Sequence, residues 1–315
     1  MFYSTESALE SNQARINHFY ENVLNKNYFN ASEGKLFFAY AVPETANTAI
    51  VISSGRIEGL EKYKELLWEL YTNNYAVFIA DHQGQGRSYR PLKNKHKGYV
   101  KRFSDYSADL DLFNQHIVNK HWQDKKILLA HSMGGAIAYD YFANYPHTFS
   151  GAFLSAPMFD IYTKGIPKPV AKLIARAATK LGFGYSYALG QNDYNPEEFA
   201  LNTLTSSQVR YNLFRLTYQQ QPLLQLGGVT YGWLNASFAF MSAVDTHTIN
   251  LPIFIASAQN DEVVDNNAQQ KLVNRLPNAE LKSFAEAKHE LLFERDEIRK
   301  PVLMRLYQFC SSFDT

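Results

Sequence analysis

Cysteine is nearly missing from this chain. Cys310 stands alone, so no disulfide can close within it, and the composition fits a reducing compartment. No apolar run approaches the roughly 18 to 20 residues that a membrane span requires. Charge of one sign is not in excess either: 31 Lys and Arg face 30 Asp and Glu, which removes the general field of a nucleic-acid binder and leaves charge effects local. The opening Met1-Phe2-Tyr3-Ser4-Thr5-Glu6-Ser7 lacks the basic start and apolar core of a secretory signal. The expected location is cytoplasmic, with peripheral attachment to the inner face of the membrane left open. No pair of histidines or cysteines has ligand spacing within a suitable element, so neither metal nor cofactor is expected. Internal repeats and low-complexity linkers are also lacking.

Aromatic residues are plentiful. The 22 Phe and 21 Tyr imply broad apolar contact surfaces, in a core or in a pocket. Strand and helix signals alternate along the first half. Apolar runs at 36–41, 48–52, 76–80, 126–129 and 151–156 read as strands, and Tyr63, Leu66, Leu67 and Leu70 mark a helical face. The rhythm breaks between about Met158 and Asn250, where amphipathic helical stretches take over, and returns with a strand at 251–258, a helix at 266–276 and a strand at 279–284. The expectation is an α/β fold with a mainly parallel central sheet covered by helices on both faces. Residues 1–157 and 251–315 form its core, and 158–250 form a helical lid inserted over the carboxyl ends of the strands, where open α/β sheets bind ligands.

The most informative segment is Ala130-His131-Ser132-Met133-Gly134-Gly135. An apolar strand runs into it and a helical pattern leaves it, which sets Ser132 on a strand-to-helix turn, the position of an activated nucleophile. The competing reading has Ser132 merely capping a helix. A serine hydroxyl needs a base. Most of the nine histidines lie in helical or polar contexts, whereas His289 follows the late strand across Ala285-Glu286-Ala287-Lys288 and reaches the carboxyl edge of the sheet. Asp261, just beyond the strand at 253–258, is the expected partner that holds the imidazole's tautomer. Glu262 and Asp265 compete with it, Asp265 being better placed to cap the helix that begins near Asn266. The order Ser132, Asp261, His289 is that of α/β hydrolases. For the oxyanion, the expected donors are the backbone N–H of Met133 and that of Arg56, with Gly55 permitting the close approach. The Arg56 side chain is expected to pair with an acidic neighbour; reaching a phosphate or glycerol group is the alternative.

Further pieces lie in order around these residues: Ser53-Ser54-Gly55-Arg56-Ile57-Glu58-Gly59 with Lys62-Tyr63, Asp81-His82-Gln83-Gly84-Gln85-Gly86-Arg87-Ser88, the stretch from Gly98 to Tyr106, Thr230-Tyr231-Gly232-Trp233, and Lys288 to Glu294. Together they resemble the monoacylglycerol lipase and lysophospholipase branch of the serine α/β hydrolases, bacterial lysophospholipases above all, over nearly the whole chain. Ala130, Ser54 and Gln83 depart from the pattern, standing where glycine, histidine and arginine are usual. The resemblance implies hydrolysis of the carboxylic ester of a lipid with one acyl chain, a lysophospholipid or a monoacylglycerol, with Gly55, His131, Tyr231 and Trp233 as candidate substrate contacts. A general carboxylesterase or thioesterase would use the same three residues, and a non-catalytic binding protein could keep the fold. Lys164, Lys168, Lys172, Arg176 and Lys180 recur every four residues with apolar residues between them. From Pro169 onward this reads as a basic amphipathic helix suited to an anionic membrane surface, or as an ordinary solvated face.

Overall fold

The computed structural model describes residues 1–163, 165–244 and 249–313; Lys164 and His247 lie outside them. After helix α1 (Glu6–His18), strands β1 (Asn25–Asn30) and β2 (Lys35–Ala41) form an antiparallel pair, followed by β3 (Thr48–Ser53), α2 (Lys64–Thr72) and β4 (Ala76–Ala80). Next come α3 (Ser104–Phe113), a short α4 (Asn119–His121), β5 (Lys125–His131), α5 (Met133–Asn144) and β6 (Gly151–Ser155). Helices α6 (Lys168–Lys180), α7 (Gln208–Gln220) and α8 (Tyr231–Ala243) precede β7 (Ile253–Ala258), α9 (Asn266–Val273), β8 (Ala279–Phe284) and α10 (Asp296–Ser311).

One eight-stranded sheet runs in the order β1-β2-β4-β3-β5-β6-β7-β8. From β4 through β8 all neighbours are parallel. The inner strands are apolar because helices cover both faces: every residue of β3, β4, β6 and β7 is buried. The described residues from 158 to 250 add no strand to this sheet. The chain passes from β3 to β4 on one side and then crosses back to β5 on the other. The carboxyl ends of β3 and β5 therefore sit side by side at a topological switch point, where the two connections leave a crevice.

Helix α6 lies on α8 in an unusual sense. Its inward face is built from small residues: Ala175 is buried, and Ala171 and Ala178 are half-buried. Its large apolar residues point outward, with Leu173 67% exposed and Val170 and Ile174 also exposed, and Leu181, just past its end, is 74% exposed. The row of cations is only partly free. Lys168 lies 2.6 Å from Asp160 and 2.9 Å from Asp265, and Lys172 Nζ donates to Ser242 Oγ at 3.1 Å. Arg176 and Lys180 remain exposed.

Candidate active site

Ser132 occupies the sharp turn between β5 and α5 with φ 51° and ψ −117°, a conformation that L-residues avoid and that costs about 1–3 kcal/mol. The surroundings hold it there. Ser132 N–H donates to Ser155 O at 3.0 Å, and Ser132 O accepts from Gly135 N at 2.9 Å and Met158 N at 2.9 Å. Gly134 must lack a side chain, since a Cβ there would overlap the carbonyl oxygen of Ser53 and lie 2.6 Å from that of Ser54. The first turn of α5 thus rests directly on the end of β3.

Loops after β7 and β8 carry the other two groups. Asn260 N–H donates to Ala287 O at 2.9 Å, tying one loop to the other. His289 Nδ1 lies 2.7 Å from Asp261 Oδ2, and His289 Nε2 lies 2.9 Å from Ser132 Oγ. Because an ionised carboxylate can only accept, Nδ1 carries the proton, and Nε2 is left to accept from the serine hydroxyl. Burial pushes the Asp261 carboxyl up, but the facing His289 and the N–H groups of Val263 and Val264 bring it below the ordinary value. It stays ionised through neutral pH. Asp265 caps α9 by accepting from Asn267 N, so it does not compete for His289.

The loop after β3 is held by a buried network that sequence reasoning did not single out. Glu58 Oε2 accepts from Gly55 N at 2.5 Å and from Tyr63 Oη at 2.6 Å, and Glu58 Oε1 accepts from Lys62 Nζ at 2.8 Å. Lys62 also reaches Glu290, next to His289, at 2.5 Å. Burial opposes ionisation of Glu58, yet the Lys62 ammonium, His131 and these hydrogen bonds outweigh it and hold the carboxyl at about 2. The i, i+4 spacing of Glu58 and Lys62 was the available signal, but nothing in the sequence says that the pair is buried. Gly55 N is occupied, whereas no described residue accepts from the N–H groups of Arg56 and Met133.

The candidate substrate contacts fall into two groups. Gly55 and His131 are part of the scaffold. A Cβ on Gly55 would lie 2.8 Å from Glu58 and 2.9 Å from His131. His131 Nδ1 lies 3.1 Å from Ser155 O, and its ring packs 4.9 Å from that of His289. Burial holds its pKa down to about 4, so it is neutral. Tyr231 and Trp233 lie in the first turn of α8, which Thr230 caps by accepting from Trp233 N; the Trp233 ring is buried over the Arg56 guanidinium at 5.6 Å. The expected acidic partner of Arg56 is not found among the described residues. The one carboxylate on its own loop, Glu58, is consumed by Gly55, Lys62 and Tyr63, and Arg56 Nη2 donates instead to the carbonyl of Gly227.

Comparison with known proteins matches this architecture. Lysophospholipase L2 of Escherichia coli is 35% identical over 279 residues, covering 82% of this chain and 79% of that protein. The monoglyceride lipase of Rattus norvegicus is 28% identical over 293 residues, covering 90% and 88%. Among solved structures, a soluble variant of monoglyceride lipase from Saccharomyces cerevisiae superposes with a TM-score of 0.72 at 20% identity, covering 92% of this chain and 97% of that one. The family model for serine aminopeptidase S33 (Hydrolase_4) matches residues 44–296, and the chain belongs to that family of α/β hydrolases.

Proposed function

We propose that this protein hydrolyses the carboxylic ester of a lipid carrying one acyl chain, a lysophospholipid or a monoacylglycerol, through an acyl-enzyme. The observation that carries the reading is the unbroken line Asp261, His289, Ser132 at 2.7 and 2.9 Å. As Ser132 Oγ attacks the carbonyl carbon, its proton passes to His289 Nε2, and Asp261 stabilises the imidazolium. The carbonyl oxygen takes up negative charge between the N–H groups of Met133 and Arg56. Collapse breaks the ester bond, the leaving glycerol oxygen takes the proton from His289, and water repeats the sequence to free the fatty acid. The names of the E. coli and rat relatives support the lipid class.

The reading is tested by hydrolysis of lysophosphatidylethanolamine, monoacylglycerol, acyl-CoA and a short nitrophenyl ester by wild type and Ser132→Ala. Turnover of the single-chain lipids is expected, lost in the variant. Activity on the short ester alone would reduce the protein to a general esterase.

A lipid substrate must also enter, and Ser132 is only 7% exposed. The outward apolar stripe of α6 supports docking on a lipid surface: Leu173 and Leu181 enter the interface while Arg176 and Lys180 meet anionic headgroups. Reversing both Arg176 and Lys180 to glutamate is expected to weaken binding to anionic vesicles roughly tenfold or more, at about 1 kcal/mol per cation near such a surface. Leu173→Asp should weaken it as well. Lys168→Glu instead breaks two ion pairs and should lower the melting temperature. Equal vesicle binding by wild type, Leu173→Asp and the charge-reversed protein would show that α6 is an ordinary solvated helix.

A further inference from the structure

Four other arginines set the standard against which Arg56 is unusual. Arg210 pairs with Glu65 and Asp296, and Arg299 pairs with Glu69. Arg87 pairs with Glu61. Arg90 pairs with no acid among the described residues and its Nε is also unpartnered, but it donates to four backbone carbonyls, those of Lys95, Gln225, Gly86 and Leu223. Arg56 has neither arrangement. Among the described residues no carboxylate pairs with it, its side chain makes one hydrogen bond, to Gly227 O, and its Nε is buried without a partner. A guanidinium has five donors and does not give up its proton near neutrality, so this is a largely unsatisfied cation. Desolvation lowers its pKa only to about 10.

The setting suits an anion. The guanidinium stands against the Trp233 ring, the absent side chain of Gly98 makes room for its Nη2 and Nε, which a Cβ would approach to 3.2 and 3.5 Å, and among the described residues the titratable groups that raise its affinity for a proton are the phenols of Tyr106 and Tyr187. These phenols carry no negative charge near neutrality, and the Tyr187 hydroxyl already donates to Asp193. Contact with the Trp233 ring and the hydrogen bond to Gly227 O restrain the fork, which favours bidentate binding of a phosphate. The location also fits the chain length of a substrate. Arg56 contributes its backbone N–H beside Ser132, and its side chain then runs from that point beneath α8. An ester carbonyl held at that N–H would lead its glycerol carbons away along the same path.

We propose that the Arg56 side chain is a specificity-determining subsite for the phosphodiester of a lysophospholipid. The proposal rests on the reading of this protein as a hydrolase of single-chain lipid esters. A monoacylglycerol leaves the guanidinium uncompensated, whereas a phosphodiester two glycerol carbons beyond the reacting ester satisfies it.

The experiment compares kcat/KM for lysophosphatidylethanolamine and for a monoacylglycerol of the same acyl chain in wild type, Arg56→Met and Arg56→Lys. The ratio of the two is expected to favour the lysophospholipid in wild type and to fall about 20-fold in Arg56→Met, the size of one charge-assisted contact, with partial recovery in Arg56→Lys. A ratio that stays constant while both activities fall would overturn the proposal and leave Arg56 as a support of the oxyanion loop. A calorimetric arm does not depend on turnover. Glycerol 3-phosphate should bind wild type and bind Arg56→Met at least tenfold more weakly, with inorganic phosphate weaker than glycerol 3-phosphate for the wild type. Inorganic phosphate binding equally well would mark a free-phosphate site, and no binding of either would overturn the subsite. Failure of all lipid hydrolysis with binding intact would instead remove the functional reading.

Discussion

Ser132→Gly will melt at a higher temperature than Ser132→Ala, by about 2 °C for roughly 1 kcal/mol in a chain of this size. Both variants lose the hydroxyl and its hydrogen bond to His289, so the comparison isolates the backbone. Elsewhere alanine is more stable than glycine by about 0.5–1 kcal/mol, because glycine loses more freedom on folding. At φ 51° and ψ −117° the order reverses, since a Cβ there costs about 1–3 kcal/mol and glycine does not pay it. Both variants should also lose about 10⁶-fold in kcat, the scale on which removing an activated serine acts in other serine hydrolases. Thermal melts of the two proteins with hydrolysis measured in parallel decide the matter. A glycine variant less stable than the alanine one would mean that the turn is not strained.

Glu58→Gln is expected to lower kcat/KM by about 10²-fold to 10³-fold, comparable to losing an oxyanion donor. The amide cannot accept from Gly55 N, Tyr63 and Lys62 at once, so the loop bearing Arg56 loses its anchor while Lys62 keeps only Glu290. Removing one member of such a buried set typically costs about 3–5 kcal/mol. The pH dependence has a definite sign. The folded carboxyl titrates at about 2 against an ordinary value of 4.5, so its contribution is fully present above about 4.5 and disappears as the pH falls toward 2. The wild type should therefore lose more stability over that acid window than Glu58→Gln does. Parallel denaturant titrations at pH 6 and pH 3 measure the difference, and equal losses would falsify the assignment of Glu58 as the charged anchor.

Parts of this architecture were legible in the sequence for a physical reason. Strands buried on both faces must be continuously apolar, and β3 to β7 announce themselves that way. Strand β1 does not: it is an edge strand, Asn25-Lys26-Asn27-Tyr28-Phe29-Asn30, with only Phe29 buried, and its pairing with β2 depends on backbone groups that carry no side-chain signal. The positions of Ser132, Asp261 and His289 could be read because each follows a strand at the same edge. The environment of Arg56 could not. Its contacts are a carbonyl at Gly227 and a ring at Trp233, both supplied by a distant segment of the chain. Periodicity likewise showed that α6 has an apolar side without saying what that side faces. The small residues Ala171, Ala175 and Ala178 took the inner position, and Asp160 and Asp265 claimed Lys168 from outside the helix.

The absent side chain of Gly134 has a consequence for how this site can change over time. Because α5 touches the carbonyls of Ser53 and Ser54 directly, the serine's turn and the loop that starts at the end of β3 are mechanically one piece. A methyl group at position 134 would act as a wedge, driving the Met133 amide and the Arg56 amide apart without altering either residue. Drift in substrate preference must therefore be sought in side chains beyond this joint, in Arg56, Trp233 and the helices above them. The spacing of the two amides is inherited as a unit.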